Sequence, residues 1–409
     1  MNYKPTIAKE DKQKVFEGAL PTTIYQAGYS EVYGLNPDID STALMISTTA
    51  WILTKILKGK TKQQQSLPLS SSSSKGKDSS PSYDENNSNY YISEAKSMTK
   101  HAKVIDFVVP RMLKAVDHLL SRDTDDDGLL EQNHNEDWMD TGLRAGKIVY
   151  SQACIILALN NLSYLLSELD NDNESERMTK LATRTISAVE EKLWSENDGS
   201  YIDIQESHHI GGPYRTLTQD VSLYLVAISE NTNSDSLRID QPLHSDHDGR
   251  ILKSHQQQQQ QEHPLKQQKD IYPQKNLDQL VKRANNTLDA ISNRVWLDGW
   301  PTNVETLLKS SGPWHLRPYF YHNRTFWPWI TGIEILARSR IKRLEECNAL
   351  LSKLAAEDKP HILTFYEWVN PKTCQGGGAY PFRTGICTVR MAIDHIVSDI
   401  EQNKIQEPK

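Results

Sequence analysis

Apolar residues recur at helical spacing along most of the chain, and sustained strand-like alternation is absent. The spacing predicts helices over residues 44–57, 102–120, 145–169, 175–194, 217–229, 276–293, 327–340, 342–356 and 382–402. The stretch IVYSQACIILALNNLSYLL within 145–169 is apolar on nearly every face, which predicts a helix buried all round. Residues 175–194 carry Leu181, Ile186, Val189 and Leu193 on one stripe, the pattern of a helix with one wet face. Pro110 lacks a backbone donor, so it should kink the helix 102–120 or mark its first turn. Only short pieces such as SYIDI at 200–204 read as strands. Inner apolar helices alternate with outer amphipathic ones, and the loops between them are long and rich in Trp, Tyr, Asp, Gly and His. That pattern suggests an all-α toroid of helix pairs with its site at one end, although an irregular helical bundle fits the periodicity too.

Two polar stretches interrupt the pattern. Residues 59–90 are rich in Lys, Gln and Ser, and residues 233–272 include six consecutive glutamines at 256–261. Neither can bury enough apolar surface to offset chain entropy, so both are expected to be disordered insertions in surface loops. Helical patterns resume on either side, so a single domain over residues 1–409 is expected. The chain is 37% hydrophobic and 24% charged, ordinary for a globular protein of this length. A net charge of −7 without a basic stripe argues against nucleic acid as a partner. The first twenty residues lack an apolar signal region, and no run of about 18 apolar residues suggests a membrane span. A cytoplasmic protein is expected. Cys154, Cys347, Cys374 and Cys387 show no pairing pattern, so neither zinc nor a disulfide framework is expected.

Three loops carry candidate chemistry. In DTDDDGLLEQNHNEDWMDTGLRAGK, residues 123–147, Asp140 follows Trp138 by two and precedes a Gly turn. A carboxyl beside an indole loses solvation, which raises its pKa and suits it to general-acid work near neutrality. A helix N-cap or turn Asp is the structural alternative. Arg144 and Lys147 could bond sugar hydroxyls, hold a carboxylate ionised, or simply be solvated. In HILTFYEWVNPKTCQGGGAYPFRTG, residues 361–385, Glu367 lies between Tyr366 and Trp368, ahead of three glycines at 376–378 that permit close backbone approach. In RPYFYHNRTFWPW, residues 317–329, His322, Asn323 and Trp327 precede a helix. Core packing fits Trp329 better than Trp327. Trp296 and Trp300 add aromatic surface to another loop, and this clustering around loops favours carbohydrate binding over core filling.

Asp123, Asp125, Asp127 and Gly128 match the opening of an EF-hand, but position 12 is His134 and not the bidentate Glu that calcium requires. A calcium loop of another kind and an Asp-rich turn both remain open there. No metal site is assigned. No phosphate-binding glycine loop or nucleophile elbow occurs, so no cofactor is expected.

These segments resemble glucosidases with an (α/α)6 barrel, the amylo-α-1,6-glucosidase (glycogen-debranching) group of the six-hairpin superfamily. DWMDT at 137–141 is similar to that family's T-W-M-D-A, which ends in its general acid. RAGKIVYSQACIILAL at 144–159 is similar to the helix that follows, with Tyr150 where the family has Glu. YHNRTFWPW looks like Y-H-N-G-x-x-W-P, with Arg324 in place of Gly, and FYEWVNPKTCQGGGAYPFRTG looks like the closing segment with the base Glu. NPDIDSTALMI at 36–46 is similar to the family's D-A/S-T-x-x-x-I stretch, whose Asp, here Asp40, would touch the sugar in the deepest subsite. The family's upstream helix pair and aromatic-x-R-D loop have no match, so about ten helices are expected where the full barrel has twelve. The resemblance implies an inverting hydrolase of α-glucosidic bonds in oligosaccharides or polysaccharides. Asp140 would be the acid and Glu367 the base. Asp40, Trp138, Arg144, Lys147, Gln152, His322 and Trp327 would shape the sugar subsite. A non-catalytic carbohydrate-binding remnant of such an enzyme, and a helical scaffold for partner proteins, are the competing readings.

Overall fold

The structure, a computed structural model, describes residues 18–21, 23–24, 30–31, 36–65, 85–142, 144–205, 214–231, 274–307, 317–357 and 365–406. Among them run nine α-helices: α1 Ile39–Gln65, α2 Glu85–Leu120, α3 Val149–Glu168, α4 Asp172–Lys192, α5 Ser222–Asn231, α6 Gln274–Ala290, α7 Pro328–Arg340, α8 Leu344–Glu357 and α9 Arg383–Gln406. Helix boundaries differ from the sequence expectation for local reasons. Residues 145–148 do not join α3, because Gly146 has φ +107, far from a helical value. Gly146–Lys147 instead forms a strand against Asp203–Gln205, which in turn pairs with Tyr214–Thr216. Helix α4 starts early because the Asn171 side chain caps it, and Trp194 leaves it to pair with Tyr201. Pro328 opens α7 at a position where a missing N–H costs nothing. Pro110 sits well inside α2.

The expected insertions are only partly covered. Residues 59–65 continue α1 and residues 85–90 begin α2. The remainder, 66–84 and all of 233–272, lies outside the described residues.

Helix α3 is the centre of the core. It is buried on all faces between α1, α4 and α5, as its uniform apolarity requires. Among the described residues it alone is long and apolar enough to cross a membrane, and most of it is buried inside the protein. Helix α4 buries one stripe, Met178, Ala182, Thr185, Ile186, Ala188 and Val189. The odd-numbered helices pack each on the next, α1–α3–α5–α7–α9, while α2, α4 and α8 lie outside α1, α3 and α7. Among the described residues no comparable contact joins α9 back to α1. A single cluster of buried side chains fills the space between the layers.

This alternation fixes where chemistry can sit. The connections Leu169–Asn171 and 341–343, from an inner to an outer helix, are three residues long. Those from an outer to an inner helix, residues 121–148, 193–221, 291–327 and 358–382, are long, and their described parts gather ahead of the N-terminal ends of the inner helices. Bridges Gln132–Gly146, Thr218–Val304, Thr302–Phe326 and Phe326–Val369 tie them to one another.

Candidate active site

The loop before α3 is fixed residue by residue. The Glu136 carboxylate, wholly buried, accepts hydrogen bonds from Asn36, Asn133 and Arg122. Asp137 Oδ2 accepts from Gln132 and Arg144 at 2.9 Å each. Trp138 donates its backbone N–H to Asp40 Oδ2 (2.9 Å) and its indole N–H to Asp220 Oδ2 (2.7 Å). The Asn135 amide donates to the Asp140 carbonyl. Asp140 therefore ends a segment whose backbone has little freedom, as acid–base geometry demands.

The Asp140 carboxyl is mostly buried, with 28% of its side chain exposed. Its pKa is pushed up to about 7, first by loss of water, then by the negative charges of Asp137 and Glu367, and against a hydrogen bond from Tyr321. Glu367 is thus near enough for its charge to act on Asp140, although the two stand 227 positions apart in the chain. His322 Nδ1 lies 3.0 Å from Thr141 Oγ1 and 3.6 Å from Asp140 Oδ1. Burial lowers the His322 pKa to about 3, with Arg144 adding to the effect, so the imidazole stays neutral beside the acid.

Glu367 is held by the short hairpin of Trp368–Val369 and Gly376–Gly377. Its backbone N–H donates to the Ala379 carbonyl, and its Oε2 accepts from the Ala379 N–H at 2.8 Å. Gly378 has φ +73, and a Cβ there would collide with the Glu367 carboxylate. The triple glycine thus brings backbone against the carboxylate, a close approach that side chains would forbid.

Behind Asp140 lies a buried charge cluster. The Arg144 guanidinium, 1% exposed, bonds Asp137 (2.9 Å), Asp203 (3.0 Å) and Asp220 (2.7 Å). Three carboxylates around one guanidinium keep it charged, with a pKa well above the usual arginine value despite burial. Burial in turn pushes Asp203 up to about 6 against the pull of Arg144. The cluster's residual negative charge favours a proton on Asp140.

The sequence-derived subsite residues separate into two groups. Trp138 and His322 come together beside Asp140, and Asp40 is tied to them through the Trp138 backbone N–H. Asp40 is 5% exposed, accepts from Ser41 N, Trp138 N and Tyr150 Oη, and is raised to about 7 by burial and by the Asp137 charge. Trp327 is also there but only 2% exposed, stacked on His322 at 4.8 Å and 18°, with its indole N–H bound to Tyr321 O and Thr325 Oγ1. It backs the imidazole and offers no open face. Trp329 is buried likewise, edge-on to Trp138. Arg144 holds carboxylates and is neither solvated nor open to a ligand. Lys147 and Gln152 are not brought to the pocket. Lys147 Nζ lies 2.7 Å from Asp125 and 2.6 Å from Asp127, and Gln152 is wholly buried with its amide bound to the backbone of Leu130 and Ile148.

The acidic loop Asp123, Asp125 and Asp127 gathers three carboxylates whose ligand atoms lie within 4.8 Å of one another. Lys147 projects its ammonium among them, and Arg184 and Lys192 add further ion pairs. Burial would raise the Asp127 pKa, but hydrogen bonds from Lys147 and Lys192 outweigh it and bring it down to about 2. The protein's own cations thus pair with the carboxylates of this loop.

Sequence reasoning missed Asp203, Asp220 and Tyr321. Asp203 sits in a short strand and Asp220 in the 3-10 turn before α5, each isolated in the sequence. The only signal was their position on outer-to-inner loops.

No family model matches this chain, and no curated protein matches it. Solved structures similar to it include an uncharacterized conserved protein from Thermus thermophilus, 13% identical, covering 93% of this chain and 84% of that one at TM-score 0.47. A GH63 mannosylglycerate hydrolase from the same organism, in complex with glucose, is 13% identical over 93% and 84% of the two chains, at TM-score 0.46. A rhamnosidase from Klebsiella oxytoca with rhamnose bound is 10% identical over 92% of this chain, which spans about half (51%) of that one, at TM-score 0.45.

Proposed function

We propose that the chain is a glycoside hydrolase that cleaves an α-glucosidic bond with inversion. Asp140 protonates the leaving oxygen, and Glu367 deprotonates a water on the opposite face of the sugar. The observation that carries this reading is the pair itself. Asp140 is raised to about 7 by burial, then by the Asp137 charge, then by Glu367, so near neutrality it can hold the proton it must donate. Half-buried Trp138 is the ring that would meet the sugar, the buried Asp40 and neutral His322 hold it and the acid in place, and the buried Arg144 cluster fixes the acid loop. The family resemblance of the motifs supplies the α-glucosidic and debranching part of the proposal.

The competing reading is a sugar-binding protein without turnover. Glucose release from isomaltose, maltose and limit dextrin separates the two. Wild-type protein should release glucose from at least one, and Asp140→Asn and Glu367→Gln should each lower the rate about 10²–10⁴-fold. Sugar binding without release by the wild type would leave only the second reading.

A further inference from the structure

The turn that follows His322 carries a cation the fold leaves unused. Arg324 is half-buried, and its Nε is cut off from water without a hydrogen-bond partner. Arg122, Arg283, Arg294 and Arg343 are half-buried too, and each holds a carboxylate. Among the described residues Arg324 holds none. A half-buried charge gives up hydration, and here no counter-charge offsets the loss. The backbone is costly as well. Arg324 has φ of 62°, a left-handed conformation that only glycine adopts freely. Strain of this kind persists where a site uses it.

The hairpin that holds Glu367 brings a second cation to the same turn. Phe326 and Val369 exchange backbone hydrogen bonds of 3.0 and 2.8 Å in an antiparallel bridge. Arg324 stands two residues before Phe326 and Lys372 three after Val369, so both lie at the same end of that bridge. The Lys372 ammonium reaches over the Tyr319 ring, 5.6 Å from its centre. The Tyr319 N–H in turn bonds the carbonyl of Asn323, the neighbour of Arg324, at 2.9 Å. The two charges act on one another. A hydrogen bond to Asp298 holds Lys372 above its usual pKa, and the Arg324 charge works against it. Asp298 lies 2.5 Å from Lys372 Nζ with both side chains exposed, and an ion pair so placed yields readily to a competing anion.

We propose that Arg324 and Lys372 form a binding site for a compact oxyanion of the phosphate class. The guanidinium offers parallel N–H donors matched to two oxygens of one anion, and the ammonium adds a point charge. An anion between them offsets the repulsion of the two cations and supplies the acceptor that Arg324 lacks. The site stands apart from the reaction proposed above, since it asks nothing of Asp140 or Glu367. The same chemistry serves a free phosphate and a phosphoryl group on a sugar.

Calorimetry on the full chain, in low-salt buffer free of phosphate, measures binding of inorganic phosphate, glucose 6-phosphate and glucose. The proteins compared are the wild type, Arg324→Gly, Lys372→Gln and Arg390→Gln. Arg390, exposed on α9, controls for the loss of one positive charge elsewhere. Phosphate should bind the wild type, about tenfold more weakly Arg324→Gly and about threefold more weakly Lys372→Gln, with Arg390→Gln unchanged. Tighter binding of glucose 6-phosphate than of phosphate supports the site with the anion arriving on a sugar. Equal or weaker binding supports it with the free anion as ligand. Three results overturn it: no binding of either anion by the wild type, affinity undiminished in Arg324→Gly or Lys372→Gln, or equal weakening in Arg390→Gln. Glycine suits the left-handed backbone, so the Tm of Arg324→Gly should stand at or above that of the wild type. A Tm several degrees lower would assign the guanidinium to the fold and overturn the site as well.

Discussion

Asp140→Asn should stabilise the protein at high pH while abolishing turnover. In the fold the Asp140 pKa is about 7 against an ordinary value of 3.8. The native state thus binds this proton more tightly than the unfolded chain. The stabilisation is complete below pH 4 and is lost as pH rises through 7. Roughly three units correspond to about 4 kcal/mol. With 28% of the side chain exposed, water screens part of that, and about 2 kcal/mol is a realistic share. Asn is isosteric, keeps an acceptor for Tyr321 and never ionises, so the variant escapes the loss. Unfolding entropy of about 2.1 cal/mol/K per residue gives about 0.9 kcal/mol/K for a chain of this length, so the gain in Tm is about 2 °C. Calorimetric melts of wild type and variant across pH 4–8 measure it. Asp40, also raised to about 7, contributes equally to both proteins, so their difference isolates Asp140. A difference that stays flat across that range would refute the raised pKa and with it the acid role.

Three further outcomes follow from the same charges. The basic limb of the kcat/KM profile should fall near pH 7, where Asp140 loses its proton, and Asp137→Asn should move that limb to lower pH because the Asp137 charge holds the proton on. Arg144→Met leaves three buried carboxylates without their cation and should cost about 3–5 kcal/mol in urea unfolding; a loss below about 1 kcal/mol would show that the cluster is not the anchor described. Excess chelator should leave the Tm unshifted and added calcium should not raise it, because Lys147 already neutralises the acidic loop; a calcium-dependent rise would contradict this.

The helical layers were legible in the sequence because burial writes itself into periodicity. Uniform apolarity announced α3, and a single stripe announced α4. Boundaries failed where conformation or pairing overrode pattern, as at Gly146, which joins a strand where α3 was expected to begin. Asp140 and Glu367 were legible because each stands beside large aromatics in a long loop. The charge cluster behind Asp140 was not, because Asp203 and Asp220 meet Arg144 only after separate loops converge. Lys147 and Gln152 follow the motif closely in sequence, but the strand at Gly146–Lys147 turns Lys147 toward the acidic loop, and the first turn of α3 buries Gln152. Trp327 looked like an open sugar platform, whereas its N–H and one face are already used inside the protein.

The most direct measurement is the anomeric form of the first sugar released, followed by proton NMR within minutes of adding enzyme to an α-linked glucose oligosaccharide. An inverting pair made of Asp140 and Glu367 releases β-glucose, which then mutarotates, and either Asp140→Asn or Glu367→Gln silences the signal. Initial release of α-glucose, or undiminished release by either variant, would contradict the two-carboxylate account.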